Sequence, residues 1–340
     1  MQDKYYSTPL HGVECLLPDV KPNSSHVNSA ELSVELEFAK VASCAELEPI
    51  WTLKDQGLRY LTELNLYPYI CADQEQHETP NTSDKAYVLA VNCEGKGRFL
   101  IQQNKITIDW EAGTPSSHYF QTLALALWLE IKQIPCIHAN ALKRDKKTFA
   151  LVAASGTGKS TLSAKLQQLG CAWLTDDMLA LHQDSAKNAS KSSFQVYPSW
   201  PIARMWPDSV ENVLGQQESV LNKVHARFNK RLIELQELSD ENKYFSELSV
   251  IYILNRTVTD GVDNSPACKI ETINSSQALI LLLQNSILGN AYSALELEFN
   301  RIRQLSILVQ STKIKKITYS SGKENLDFVS KAILEDLNKP

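Results

Sequence analysis

The stretch LVAASGTGKSTLSAKLQQLGCAWLTDD, residues 151–177, decides the fold of this 340-residue chain. It continues the apolar run TFALVAA, which has the composition of a strand buried on both faces of an α/β sheet. A glycine turn follows. From Lys159 a helix carries Leu162, Leu166 and Leu169 on one face, and Gly170 is placed to end it. CAWLT then reads as a second strand, running into Asp176 and Asp177.

The turn matches the pattern G-x-x-x-x-G-K-[ST]. In that pattern glycines let the chain wrap a phosphate with its N–H groups inward, a lysine reaches the terminal phosphates, and a hydroxyl holds Mg²⁺. Ser155, Gly156, Thr157, Gly158, Lys159, Ser160 and Thr161 supply the parts, with Ala153 in place of the first glycine. Ala153 falls at the strand end, where a small residue in extended conformation suffices; the turn itself keeps Gly156 and Gly158. A helix N-terminus favours an anion. No N-K-x-D base-reading motif is present, so ATP is expected rather than GTP. The competing reading is a strand-to-helix turn that binds nothing.

Asp176 comes only 17 residues after Lys159. If strand, helix and strand form a tight right-handed unit, both strands end on the same sheet edge and the two carboxylates face the phosphates. One carboxylate can bind Mg²⁺ while the other accepts a proton from an attacking hydroxyl. A kinase acting on an alcohol gains from such a base. Asp-Asp can also simply open a loop as a cap or turn pair.

Outward from this centre, the first third reads as a small antiparallel β-domain, with LSVELEF and ITIDW alternating and YVLAVNC and RFLIQ flanking EGKG. The polar stretches PNSSHVNS and DQEQHETPNTSDK read as loops or local disorder. In HYFQTLALALWLEIKQ, the residues Phe120, Leu123, Leu127 and Ile131 stand at helical spacing, leading into a second domain. The expected division is 1–116, β-rich, and 117–340, α/β. Later segments read as the strands CIHANAL, FQVYP, LSVIYIL and IKKITY, a buried helix SQALILLLQNSIL and a final amphipathic helix KENLDFVSKAILEDL.

Net charge is -5, with 34 Lys and Arg against 39 Asp and Glu, which argues against a nucleic-acid binder. The basic runs 143–147 and 313–316 read as turns and strand ends. Seven scattered cysteines without a C-x-x-C pair suggest neither a disulfide framework nor a zinc site. No segment has signal-peptide or membrane-spanning character, so a cytoplasmic protein without a membrane partner is expected. Self-association is compatible with the sequence.

The constellation IHANALKRDKKTFALVAASGTGKSTLSAKLQQLGCAWLTDDMLAL resembles the HPr kinase/phosphorylase-type serine kinases, with a His-containing strand, a hairpin, the phosphate loop, a helix ending in Gly, and a strand ending in Asp-Asp. Residues 137–181 carry the resemblance, with weaker agreement over 197–254. It is similar more specifically to the diverged branch with a β-rich N-terminal domain, which includes kinases of lasso-peptide precursors. The family core is related to phosphoenolpyruvate carboxykinase. The resemblance implies ATP at Ser155 to Thr161, Mg²⁺ at Ser160 with Asp177, and Asp176 as base for a seryl hydroxyl, with the division between the two aspartates open. It also implies His138 near the acids. Arg204, in YPSWPIARMWP, is implied at phosphate or substrate, and Lys230 and Arg231 as a mobile basic segment closing on phosphate. The signature E-[IV]-R-G-L-G is missing after the Asp pair, so phosphorylase activity and HPr as acceptor do not follow. The leading expectation is a serine kinase acting on a peptide or protein, for example a ribosomal peptide precursor. The others are a small-molecule hydroxyl kinase and a non-catalytic nucleotide-binding regulator.

Overall fold

The computed structural model describes residues 4–6, 9–18, 32–44, 46–55, 61–69, 85–184, 192–225, 228–257 and 268–339. The polar stretches 22–29 and 73–84 lie outside the described residues. In chain order the strands are β1 (Val13–Leu16), β2 (Leu32–Phe38), β3 (Trp51–Asp55), β4 (Thr62–Tyr69), β5 (Ala86–Asn92), β6 (Lys96–Ile101), β7 (Lys105–Trp110), β8 (Cys136–Ile137), β9 (Ala139–Arg144) and β10 (Lys147–Val152). They continue as β11 (Ala172–Thr175), β12 (Leu179–Ala180), β13 (His182–Asp184), β14 (Ser193–Val196), β15 (Ile202–Met205), β16 (Lys223–His225), β17 (Phe228–Glu234), β18 (Ser246–Thr257), β19 (Cys268–Thr272) and β20 (Lys313–Ser320). Two compact units result: Met1–Lys132 with Lys223–Asn229 and Asn290–Glu298, and Gln133–Asn222 with Lys230–Gly289 and Phe299–Pro340. Contacts thus divide the chain after Lys132 rather than after residue 116.

In the first unit one sheet runs β1-β2-β7-β6-β5-β4-β3. Its last five strands are antiparallel neighbours, but β1 and β2, and β2 and β7, are parallel. The antiparallel expectation is corrected to a mixed sheet. The physical reason is chain length: the connection from β1 to β2 exceeds the dozen or so residues a parallel crossover needs. Alternation in LSVELEF buries Val34 and Leu36. The EGKG glycines serve packing as well as turning, since a Cβ on Gly95 would stand 2.4 Å from the Trp110 ring and one on Gly97 would meet the same ring at 2.4 Å.

The helix after Ser116 contains a π turn at Phe120–Ala124 before it continues as Leu125–Ile131. The wider turn rotates the apolar stripe. Phe120 and Leu127 are buried as expected, but Leu123 and Ile131 are only half-buried, and Leu125, Trp128 and Leu129 take the interior instead. Trp128 Nε1 donates to the Gln103 carbonyl at 3.0 Å, tying the helix to its own unit.

The second unit is built on a mixed sheet in the order β11-β9-β10-β18-β14-β13, with β20 also along β18 and β19 outside β20. At its centre β10, β18 and β20 run parallel. Side chains on β10 alternate between two cores. Phe149 and Leu151 join Leu162, Leu166 and Val329, from the helices Lys159–Gln168 and Lys323–Asn338. Ala150 and Val152 join Ala278, Leu282, Leu305 and Leu308, from the helices Ser275–Gln284 and Glu298–Ser311. The unit is therefore α/β with helices on both faces of its sheet, and each fully buried large side chain contributes about 2 kcal/mol.

Three local expectations are corrected. CIHANAL is broken at His138 into β8 and β9, because β8 pairs β12 and His138 N–H donates to the Asn285 carbonyl at 2.8 Å. The helix Ser275–Gln284 buries only one edge, leaving Ile280 55% exposed. The segment of Lys230 and Arg231 belongs to a strand, β17, paired with β15. Among the described residues no helix is long and apolar enough to cross a membrane.

Candidate active site

β10 delivers the chain to Ala153, which is buried, and the glycine loop follows. Gly156 and Gly158 take φ of 83° and 103°, a backbone conformation that costs a residue with a Cβ. Gly158 caps the helix, whose first N–H groups have no partner one turn back. Lys159 folds over the loop and donates to the Ala153 carbonyl at 2.7 Å. Burial pushes its ammonium down to about 8, despite the opposing pull of Asp177 and Asp176. The position that departs from the glycine pattern thus supplies a backbone oxygen, which an alanine does as well as a glycine.

β11 is parallel to β10, but β9 stands between them. The tight strand-helix-strand pair expected from the spacing is therefore opened by one hairpin strand. The sheet edge is nevertheless shared: Val152 pairs Ala139 and Thr175 pairs Ala141, so β10 and β11 end at the same end of β9. That places both aspartates beside the loop. Ser160 Oγ donates to Asp176 Oδ1 at 3.1 Å, and Arg204 N–H donates to Asp176 Oδ2 at 2.8 Å. Asp176 is 5% exposed. Burial, helped by the Asp177 charge, pushes its carboxyl up to about 7.

Asp177 differs in every respect. Its φ is 64°, a left-handed conformation uncommon without glycine, and the Asn140 side-chain oxygen accepts its N–H at 3.1 Å. Its oxygens lie 3.7 Å from His138 Nε2 and 3.7 Å from Arg204 Nη1. Burial would raise its carboxyl, but Lys230, His138 and Arg204 together hold it well below the usual carboxylate range. Asp177, and not Asp176, lines the cavity of about 220 Å³ that also meets His138, Ser155, Lys159, Arg204 and Lys230.

Every residue expected at the site is gathered here, with two qualifications. Thr157 lines a neighbouring cavity, and its carbonyl accepts from Tyr319 Oη at 3.2 Å. Arg231 turns away: its guanidinium bonds the Glu218 carboxylate and carbonyl, while Lys230 stays at the cavity, its ammonium 5.9 Å from the Trp206 ring centre. Arg204 is 2% exposed, a buried guanidinium facing Asp177.

Sequence reasoning did not single out Arg256, Tyr319 or Asn140. Arg256 Nη2 donates to the Gly156 carbonyl at 3.1 Å, and Arg256 and Tyr319 are Cα partners on β18 and β20. Two loop carbonyls are thereby tied back by adjacent strands. Asn140 is fully buried between the Ser163 hydroxyl, at 2.9 Å, and Asp177 N–H. The signal for Asn140 was a polar residue between Ala139 and Ala141 in the buried first part of β9; Arg256 and Tyr319 had none before pairing register was known.

Among the described residues no three His, Cys, Asp or Glu side chains form a metal-binding group. Mg²⁺ needs no such cage, since it is bound through one or two carboxylates plus substrate phosphates and keeps several waters. The hard-oxygen pair Ser160 and Asp176 fits it. Two adjacent carboxylates, one pushed up by burial and by the charge of the other, are also the environment that a divalent cation relieves.

No protein-family model matches the chain, and no curated protein matches its sequence. Among solved structures, the HPr(Ser) kinase/phosphatase from Coxiella burnetii is similar at 14% identity and a TM-score of 0.30, over 59% of this chain and 90% of that one. At that score the functional reading rests on the geometry of the site alone.

Proposed function

We propose that the chain is an ATP- and Mg²⁺-dependent kinase that transfers the γ-phosphoryl group to a serine hydroxyl of a peptide or protein. The observation that carries this reading is the convergence, on one sheet edge, of a glycine loop, a buried lysine and two unlike aspartates. Lys159 would exchange the Ala153 carbonyl for a terminal phosphate oxygen. Ser160 and Asp176 are the residues to hold Mg²⁺, which when bound neutralises phosphate charge. Asp177 faces the cavity and stays ionised, so it is the group to accept the hydroxyl proton. This reverses the division implied by the family resemblance, because the Ser160 hydroxyl is bonded to Asp176. As the acceptor oxygen bonds the γ-phosphorus, the bond to the β-phosphate oxygen breaks and ADP leaves. Arg204 and Lys230 offset the charge on the moving group.

Trp206 and Met205 give the cavity an apolar side for residues flanking the serine. Its size, about 220 Å³, supports a second reading, a kinase of a small hydroxyl compound. Mass spectrometry of acceptor peptides and small alcohols incubated with Mg-ATP separates the two. Tight ATP binding with transfer to no acceptor would instead favour a regulator, and failure to bind ATP would end all three readings.

A further inference from the structure

Two neighbouring aspartates on a continued strand would point to opposite faces of the sheet, and only one could stay beside the loop. The chain avoids this at Asp177. Met178 N–H donates to the Asp176 carbonyl at 2.8 Å, closing a three-residue turn around Asp177, whose φ is 64°. A γ-turn of positive φ is rare and strained, and such a conformation persists where its surroundings over-determine it. Beyond the turn the chain enters β12, where Leu179 pairs Ile137, and this brings His138 beside Asp177. The turn itself is held by Asn140. Ala139 and Ala141 join one core and Leu142 the other, so by strand alternation Asn140 faces the helix Lys159–Gln168. Fully buried there, its Oδ1 accepts the Asp177 N–H at 3.1 Å and its Nδ2 donates to Ser163 Oγ at 2.9 Å.

Resting on the reading of Asp177 as the group that takes the hydroxyl proton, we propose that Asn140 is a positioning residue for phosphoryl transfer. It holds the strained turn at Asp177 and fixes that turn to the helix that carries Lys159 and Ser160. Ser163 follows Lys159 by one helical turn, so a single amide spans from the phosphate-binding helix to the backbone of the base. The carboxylate also has His138 and Arg204 beside it, each at 3.7 Å. Those ion pairs are longer than hydrogen bonds, so they attract the carboxylate without fixing its direction. The hold on the backbone does that. Without the amide, the Asp177 N–H loses its acceptor and the turn relaxes toward negative φ, which carries the carboxylate away from the cavity. A misplacement of about 1 Å at a reacting group costs on the order of a hundredfold in rate. The glycine loop and Lys159, which do not depend on this turn, keep their grip on the nucleotide.

The test compares wild type with Asn140→Leu, which keeps the size and removes both bonds, and with Ser163→Ala, which removes only the anchor on the helix. Turnover is read as ADP formed from Mg-ATP, with and without acceptor peptides, and ATP binding by calorimetry. Amide hydrogen exchange at Asp177 and Met178 reads the turn. In Asn140→Leu, kcat is expected to fall by roughly tenfold to a hundredfold with KM and affinity for ATP unchanged. The two amides should lose protection while those of β10 keep it. Ser163→Ala should show a smaller loss in the same sense. Wild-type kcat in both variants, or wild-type protection at Asp177 and Met178, would overturn the positioning role. So would an equal loss of ATP affinity, the mark of a support for the whole loop. Should Asn140→Leu fail to fold, Ser163→Ala decides alone, and wild-type kcat there overturns the role. Wild type that binds Mg-ATP and forms no ADP under either condition ends the kinase reading and the catalytic role with it, leaving exchange to decide whether Asn140 holds the turn.

Discussion

Asp109 in the first unit and the Asp176–Asp177 pair in the second are all buried or nearly so, yet their surroundings are built differently. Asp109 is 7% exposed and takes bonds from Lys40 at 2.9 Å, Arg98 at 2.9 Å and the Val41 N–H at 3.1 Å. Burial alone would raise its carboxyl, but these partners bring it below its ordinary value. The second unit holds two carboxylates side by side, one pushed up and the other on a left-handed backbone. Asp109 is neutralised by its own partners, whereas in the pair only Asp177 has such partners, and the buried, raised Asp176 is left for a cation to relieve. That residual need is what marks a site.

The largest expected effect tests the pair as chemistry. Lys159→Ala should abolish nucleotide binding or turnover, and Asp177→Asn should retain ATP binding while transfer falls by about 10³-fold or more. Mass spectrometry of the acceptor alongside ATP calorimetry checks both; normal turnover in either variant would erase the contrast with Asp109. Asp109→Ala should instead cost about 2 kcal/mol of stability in urea melts and leave triphosphate binding untouched, the cost reduced because Lys40 and Arg98 retain access to water.

Asp176→Asn sharpens the difference by its sign. A carboxyl raised from 3.8 to about 7 on folding favours the native state fully at low pH, and that contribution is lost as pH rises through about 7. Without metal, the variant should therefore be more stable than wild type at pH 8, by on the order of 2 kcal/mol, and gain nothing at pH 4. Equal melting temperatures at both pH values would contradict the burial argument. The smallest effect is expected at a structural acid of the second unit, Asp336, which accepts from Lys315 at 2.7 Å and Tyr252 Oη at 2.7 Å. Tyr252→Phe should cost only about 1 kcal/mol in the same melts, because Lys315 still holds the carboxylate.

Legibility from sequence followed how local each cause was. The glycine turn and its helix were readable because Gly156, Gly158 and the Leu162 and Leu166 spacing act within a few residues. The helix Glu298–Ser311 had no such signal: Arg301 and Gln304 occupy inward positions, where Arg301 bonds Gln304 and Gln304 Nε2 donates to the Gln133 carbonyl at 2.6 Å. Two polar residues in the apolar stripe erase the period that sequence reading depends on. The π turn at Phe120–Ala124 shifted a stripe that was otherwise visible.

By itself the sequence determined that a strand would hand over to a glycine loop and helix, and that two aspartates would follow at the end of the next strand. Spacing and backbone preference are enough for that. Only the tertiary structure decided that β9 separates the two strands, that Ser160 takes Asp176 while Asp177 faces the cavity, and that Arg256 and Tyr319 brace the loop. Those relations depend on the register of strands a hundred or so residues apart in the chain, and register is set by the burial of whole sheet faces rather than by neighbouring residues.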